Sequence, residues 1–356
     1  MAIFIGTDLN EVVLPGTISP SVDTVIGNPD LSEPDGIYMA GGNDIVQGDE
    51  GDDIAFLGAG NDRFIWNPGD DNDLVEGQQG TDTLEFNGAN VADTVDISAV
   101  GERARFFREP ATVTIDMDRV ERIEFNALGG VDQIVVNDLT GTDVRLVDLD
   151  LAGVIGSGIG DAAIDNVTVR GTEGRDLISV RTLGGSTVVG GLAARVEIAG
   201  EDAGQDVLTI RAGDGNDRIS AALLTDDGMK LVVFGEAGND RIRGGAADDD
   251  LFGGRGHDQI FGAHGNDVLT GNSGRDLYIF AGQNGTDRIT DFRDGVDKID
   301  IRGYGSALNS FADLAGDIVQ VGNDVRINLG ANVSGAGRIV IEDFTVGQVS
   351  AADFQF

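Results

Sequence analysis

The sequence predicts an all-β fold, a right-handed parallel β-roll or β-helix solenoid closed by a β-rich C-terminal cap. Three observations carry this expectation. A nine-residue pattern, G-x-x-G-x-D-x-U-x with U a large apolar residue, runs in strict phase from Gly235 to Ile279. A looser array of the same pattern lies near the N-terminus. Between the two, short segments alternate apolar and polar residues on either side of Gly-Asp turns, the pattern of half-buried strands.

The strict run reads GEAGNDRIR, GGAADDDLF, GGRGHDQIF, GAHGNDVLT, GNSGRDLYI. Its sixth place holds Asp240, Asp249, Asp258, Asp267 and Asp276; its eighth holds Ile242, Leu251, Ile260, Leu269 and Tyr278. One nonapeptide makes a turn and a short strand, so two make one coil, eighteen residues long in this sequence. Stacking then pairs Asp240 with Asp258, Asp249 with Asp267, and Asp258 with Asp276, about 4.8 Å apart. The eighth-place residues point inward and form a narrow apolar core. Ala247 replaces the fourth-place Gly of its copy, so a distorted turn is expected there.

In the N-terminal array Asp44, Asp53 and Asp62 are nine apart; an eleven-residue step leads to Asp73, and nine more to Asp82. The apolar places are Val46, Ala55, Phe64, Val75 and Leu84, and Asp44 pairs with Asp62. The phase breaks at WNPGDDND.

In the middle, IEFNALGGVDQIVV from Ile123, VTVRGTEGRDLISV from Val167, LTIRAGDGNDRISA from Leu208 and LVVFGEAGNDRIRG from Leu231 align without gaps. LEFNGANVADTVDI from Leu84 is a degraded copy. These windows read as longer, less regular coils of the same solenoid. Asp132, Asp176, Asp206 and Asp217 lack a same-phase partner eighteen residues away and read as plain turn residues. From Asp291 the turns fade into a β-rich cap with a short helix near Ser310–Leu314. The expected division is 1–87, an N-terminal repeat block; 88–230, divergent coils; 231–290, the strict β-roll; and 291–356, the cap.

Composition bounds the partner. The net charge is −38, which excludes nucleic acid as a natural partner and disfavours anionic membranes. A cation is the obvious counter-charge. With 55 Gly, 6 Pro and 40% hydrophobic residues, the chain is a turn-rich globular sequence rather than a disordered linker. It has no Cys, so disulfide and thiolate sites are excluded. The first residues, MAIFIGTDLNEVVLPG, lack a basic region and a long apolar stretch, so an export address is expected elsewhere.

The nonapeptide is a calcium-binding β-helix signature, and its chemistry explains why. Glycines adopt positive φ and leave main-chain carbonyls uncovered. Calcium takes six to eight oxygen ligands from carboxylates and carbonyls in a tolerant geometry. Two carboxylates stacked one strand apart repel strongly unless a cation lies between them.

These residues resemble the RTX, or haemolysin-type, calcium-binding repeat proteins. The resemblance implies GGxGxDxUx turns in which Asp240, Asp249, Asp258, Asp267 and Asp276, with Asp44, Asp53, Asp62, Asp73 and Asp82, supply side-chain ligands to multiple Ca²⁺ ions. Gly238, Gly254, Gly256 and Gly265 match the glycines whose turns supply carbonyls. ITDFRDGVDKIDI, GNDVRINLG and the terminal VSAADFQF resemble the C-terminal domain that the type I secretion machinery of Gram-negative bacteria recognises. The resemblance thus implies an extracellular protein that folds when calcium neutralises its turns.

An enzyme is not expected. HExxH and GxSxG are absent, and both histidines, His257 and His264, sit in repeats as exposed turn residues. The readings that remain are a structural, matrix or adhesive component, with self-association or an extracellular polysaccharide as partner, and a Ca²⁺-dependent, lyase-like polysaccharide enzyme built on the middle coils. The one basic-rich patch, Arg103, Arg105, Arg108, Arg119 and Arg122, reads as a solvated strand face.

Overall fold

The nonapeptide period becomes strand register. In one sheet Val233 lies beside Leu251, and Leu251 beside Leu269. In another, Ile242 lies beside Ile260, and Ile260 beside Tyr278. Each step is eighteen residues, as two nonapeptides require. These registers come from a computed structural model, which describes residues 3–9, 11–14, 17–18, 24–26, 34–225, 228–282, 284–331 and 337–356.

The chain divides into two units: Met1–Thr168 with Ala193–Asp202, and Val169–Leu192 with Ala203–Phe356. Each consists of parallel strands whose inward side chains fill the space between two sheets, the architecture of a β-roll. In the first unit, Val12–Leu14, Ile45–Gln47, Arg63–Trp66, Thr83–Asn90, Arg122–Gly129, Leu146–Asp150 and Arg195–Ala199 pair in parallel in that order. The gap-free alignment of the windows from Leu84 and Ile123 is realised as register, Leu84 beside Ile123 and Phe86 beside Phe125. In the second unit, Leu177–Leu183, Arg218–Leu223, Arg241–Arg243, Gln259–Phe261, Leu277–Ile279, Lys298–Asp300 and Phe354–Gln355 do the same.

All expected inward positions are buried, including the small Ala55. The first unit stacks aromatic rings, Trp66 on Phe86 at 4.0 Å and Phe86 on Phe106 at 4.2 Å between centroids. The second is filled by aliphatic columns such as Ile219, Ile242 and Ile260. Burial of each such side chain contributes about 1.5–3 kcal/mol.

Two excursions break the expected parallel coils. In the first unit Thr94–Val100, Arg103–Glu109 and Val113–Asp118 form an antiparallel meander. Its outer strands join the parallel order beside Gln133–Val136 and Asp73–Glu76. In the second, Leu177–Leu183 and Ser186–Gly190 form a hairpin turned by Gly184 and Gly185, both at positive φ. A Gly-Gly pair between alternating segments is a two-residue hairpin signal. The sequence alone predicts longer, less regular solenoid coils in both stretches.

The C-terminal segment is β-rich, as expected. Ile318–Val321, Asp324–Asn328 and Arg338–Ile341 are antiparallel, and the last of them continues the parallel sheet beside Thr286–Ile289. The short helix spans Phe311–Leu314, capped by a Ser310–Asp313 capping box.

Candidate metal centre

Every Asp of the repeat sits two residues before an inward apolar residue. Side chains two apart in a strand share a face, so the carboxylate also turns toward the interior at the strand's entry. Asp240, Asp249, Asp258, Asp267 and Asp276 are at most 1% exposed, and Asp44, Asp53, Asp62, Asp73 and Asp82 at most 5%. Burial of so many carboxylates demands compensation.

Part of it is a ladder between coils, in which one carboxylate oxygen accepts the backbone N–H of the acidic residue one coil earlier. In the first unit, Asp44 Oδ1 accepts from Glu11 at 2.7 Å, Asp62 from Asp44 at 2.8 Å, and Asp82 from Asp62 at 2.9 Å. On the opposite edge Asp53 accepts from Asp35 at 2.6 Å and Asp73 from Asp53 at 3.0 Å. In the second unit, one column runs Asp176, Asp217, Asp240, Asp258, Asp276, Asp297, with steps of 2.8–3.0 Å. The other runs Asp249, Asp267, Asp287 at 3.0 and 3.1 Å. The pairs expected from the period are thus brought together, and the eleven-residue step at WNPGDDND lengthens two coils to twenty residues without breaking the columns.

The second carboxylate oxygen has no such partner. Oδ2 of Asp44, Asp53, Asp62, Asp73, Asp82, Asp217, Asp240, Asp258 and Asp267 is buried and accepts no hydrogen bond. An orphaned charged acceptor is costly and rare. Each such oxygen of the strict array lies where a side chain on the first-place glycine would stand: Gly235 for Asp240, Gly253 for Asp258, Gly262 for Asp267. Fourth-place glycines stack carbonyl on Cα. A Cβ on Gly256 would overlap the Gly238 carbonyl, and one on Gly274 the Gly256 carbonyl. Gly238, Gly254, Gly256 and Gly265 all have φ between 112° and 144°, as the turn requires. Among the described residues no three acidic or imidazole side chains form a metal cage. The donor set is therefore carboxylate oxygens with main-chain carbonyls, which suits a hard, geometry-tolerant cation such as calcium and not a site built from side chains alone.

The electrostatics agree. Burial pushes Asp53, Asp82, Asp240 and Asp276 up to about 7, and Asp73 and Asp267 to about 8, with neighbouring carboxylates pushing the same way. The accepted N–H bonds offset only part of this.

The Ala247 turn is altered as expected. Asp249 Oδ2 accepts from Gly245 N–H at 2.6 Å within its own turn, and Oδ1 is the orphan. His257 and His264 are exposed; Nδ1 of His257 accepts the Arg275 N–H at 2.8 Å.

Three expectations are corrected. Asp132, Asp176 and Asp217 are not plain turn residues: they stand in the same columns, with partners 23 to 41 residues away because the coils between them are long. Asp206 is likewise buried. The columns also extend past Asp291 to Asp297. Five further column acids stand outside the expected set: Asp35, Asp93, Asp165, Asp287 and Asp297; Asp287 closes a complete nonapeptide, GQNGTDRIT, while Asp93, Asp165 and Asp297 keep only one of the two repeat glycines. Each is followed two residues on by a buried apolar residue, Ile37, Val95, Val167, Ile289 and Ile299, and that D-x-U signal marks them all.

The third correction concerns the basic patch. Arg103 pairs with Glu76 and Asp116, and Arg122 with Glu124 and Asp148. Arg108 is not solvated: it is 4% exposed, pairs with Asp93 at 2.7 Å and lies over the Trp66 ring. Its guanidinium supplies a fixed positive charge at a turn that keeps the first-place glycine, Gly88, but has Val91 at the fourth place. Arg293 does the same at the end of the second unit's long column. It bonds the Gly274 carbonyl and reaches Asp276 Oδ2 at 3.4 Å and Asp297 Oδ1 at 3.1 Å. Asp276 accordingly carries no orphaned oxygen.

Comparison with known proteins identifies the repeat. A family model described as RTX calcium-binding nonapeptide repeat (4 copies) matches residues 40–65, 209–224, 232–260, 247–278 and 257–287. No curated protein matches the chain. Among solved structures, extracellular lipase LipA from Serratia marcescens aligns with 95% of this chain and 41% of its own, at 17% identity and a TM-score of 0.25. The chain thus spans about two fifths of that structure's length.

Proposed function

Because the chain carries RTX repeats, which bind multiple calcium ions, we propose that it is a secreted structural, matrix or adhesive protein whose folding outside the cell is driven by calcium. The ions are held by the column aspartates Asp44, Asp53, Asp62, Asp73, Asp82, Asp240, Asp249, Asp258 and Asp267, together with carbonyls of turns such as those at Gly238, Gly254, Gly256 and Gly265. Asp276 shares its turn with Arg293. One observation carries the reading: columns of buried carboxylates, most of which, such as Asp240 and Asp258, bond the neighbouring coil through one oxygen and leave the other orphaned.

Without the cation, the buried carboxylates repel and the ionised chain is held open, fit for export in an unfolded state. When calcium binds, its binding free energy becomes folding free energy. In this reading 1–87 and 231–290 are the calcium arrays, 88–230 the divergent coils, and 291–356 a cap and type I secretion signal. Exhaustive EDTA treatment is expected to abolish most of the β signal in far-ultraviolet circular dichroism, and millimolar calcium to restore it. An unchanged spectrum after chelation overturns the reading.

A further inference from the structure

The same outer sheet face recurs in both units, and its charge differs. In the first unit three strands of one sheet open on an arginine: Arg63, Arg122 and Arg195. At the third place of these strands and of those between them, acids stand in register: Glu85 beside Glu124, Glu124 beside Asp148, Asp148 beside Glu197; the Arg63 strand has Ile65 there. The acids neutralise the arginines: Arg63 with Glu124 at 2.8 Å, Arg122 with Asp148 at 2.6 Å, and Arg195 with Glu197.

In the second unit the arginines remain and the acids are gone. Arg218 lies beside Arg241, and Arg241 beside Gln259. Where the first unit places its acids stand Ser220, Arg243 and Phe261, also in register. Arg218, Arg241 and Arg243 are exposed, and no ion pair joins them to any carboxylate of the described residues. Arg243 lies over the Phe261 ring at 5.1 Å. Two adjoining hollows of about 350 and 310 Å³ run along this stripe. They share Arg218, Arg241 and Gln259, and the second is floored by Phe261 and Ile279.

Like charges in register on neighbouring strands are unfavourable. In a chain of net charge −38, leaving three of its few cations stacked and unpaired calls for an external anion. We infer that this face of the second unit binds a linear polysaccharide bearing carboxylate groups. Guanidinium groups grip carboxylates through two parallel hydrogen bonds. The half-buried ring of Phe261 suits the apolar face of a pyranose, and Gln259 and Ser220 suit its hydroxyls. Neighbouring strands stand about 4.8 Å apart, close to one sugar unit, so a chain lying across the strands meets one coil per sugar. Nucleic acid fits poorly: duplex DNA carries a charge every ~1.7 Å of axis, and the rest of this acidic surface repels it.

This inference refines the matrix or adhesive reading and rests on it. The test therefore uses the full chain at saturating calcium, with folding verified by circular dichroism, so failure to fold and failure to bind are separate results. Titration with an oligogalacturonate too short to gel with calcium is followed by calorimetry. The triple variant Arg218→Gln/Arg241→Gln/Arg243→Gln is expected to weaken binding by at least about tenfold, and Arg338→Gln, an exposed arginine elsewhere, to leave it unchanged. Ser220→Glu, which imports the first unit's acid into this register, is expected to weaken it as well. The methyl-esterified oligomer is expected not to bind. Equal binding by the triple variant, by the esterified oligomer, or by single-stranded DNA of equal charge overturns the inference.

Discussion

The strict array from Gly235 to Ile279 and the divergent coils between 88 and 230 solve one problem with coils of different length. Both stack acidic residues so that a carboxylate accepts the backbone N–H of the coil before it, at 2.8–3.0 Å at Asp258, Asp267 and Asp276 of the strict array and 2.7–2.8 Å at Asp132, Asp165 and Asp217. Both place a buried apolar residue two positions on. Positive-φ glycines and orphaned carboxylate oxygens occur in both, at Gly130, Gly215, Asp132 and Asp217 as in the strict array. They differ in the coil: the strict array keeps a constant eighteen residues. The divergent coils lengthen to between 23 and 41 residues, insert antiparallel strands and, at Asp93, answer the carboxylate with Arg108. The ladder and the apolar column are what a solenoid coil requires. The constant coil length is the additional feature of the strict array, and it stacks fourth-place glycine on fourth-place glycine, Gly274 on Gly256 and Gly256 on Gly238.

Breaking the Arg108–Asp93 pair is expected to have the largest effect. Both partners are buried, so Arg108→Met strands a carboxylate and should destabilise the calcium-loaded protein by about 3–5 kcal/mol in urea denaturation. A loss below about 1 kcal/mol would mean that the divergent turn does not depend on its fixed charge. Next comes the contrast between Asp258→Ala and Asp132→Ala. The first removes a ligand from a glycine turn and should lower the calcium stoichiometry measured by calorimetry, with a stability loss of ~2.7 kcal/mol at calcium a hundredfold above Kd. The second should destabilise through its lost ladder bond by ~1–3 kcal/mol. If it also removes an ion, the divergent coils bind metal too and the contrast narrows.

The smallest expected effect is pH dependence, and its sign separates metal-free from metal-bound protein. The column aspartates are raised from an ordinary value of 3.8 to about 7 at Asp53 and Asp240 and about 8 at Asp267. The metal-free fold therefore holds protons that the unfolded chain has already released. That contribution is complete below about pH 4 and is lost as pH rises through about 6–8. Acidifying an EDTA-treated sample to about pH 5 should recover part of the β signal. Calcium competes with the same protons, so its folding midpoint should fall to lower concentration as pH rises from about 6 to 8. A calcium midpoint independent of pH would show that the column carboxylates are ionised before the ion arrives.

Much of this was legible in the sequence, for physical reasons that can be named. A nine-residue period forces an eighteen-residue coil, and the registers Ile242–Ile260–Tyr278 and Asp240–Asp258–Asp276 follow from it. A D-x-U triplet places carboxylate and apolar side chain on one strand face, so the burial of Asp258 and Ile260 was already implied. A charge of −38 with Gly-Asp turns called for a hard cation. Tertiary structure decided what local pattern leaves open. It decided which distant aspartates meet when coils vary in length, because Asp93 reaches Asp132 only once the meander from Thr94 to Asp118 has been folded aside. It decided which arginines are spent, since Arg63 and Arg218 occupy equivalent positions in sequence. Only the strand beside each one determines whether a carboxylate lies within reach of its charge.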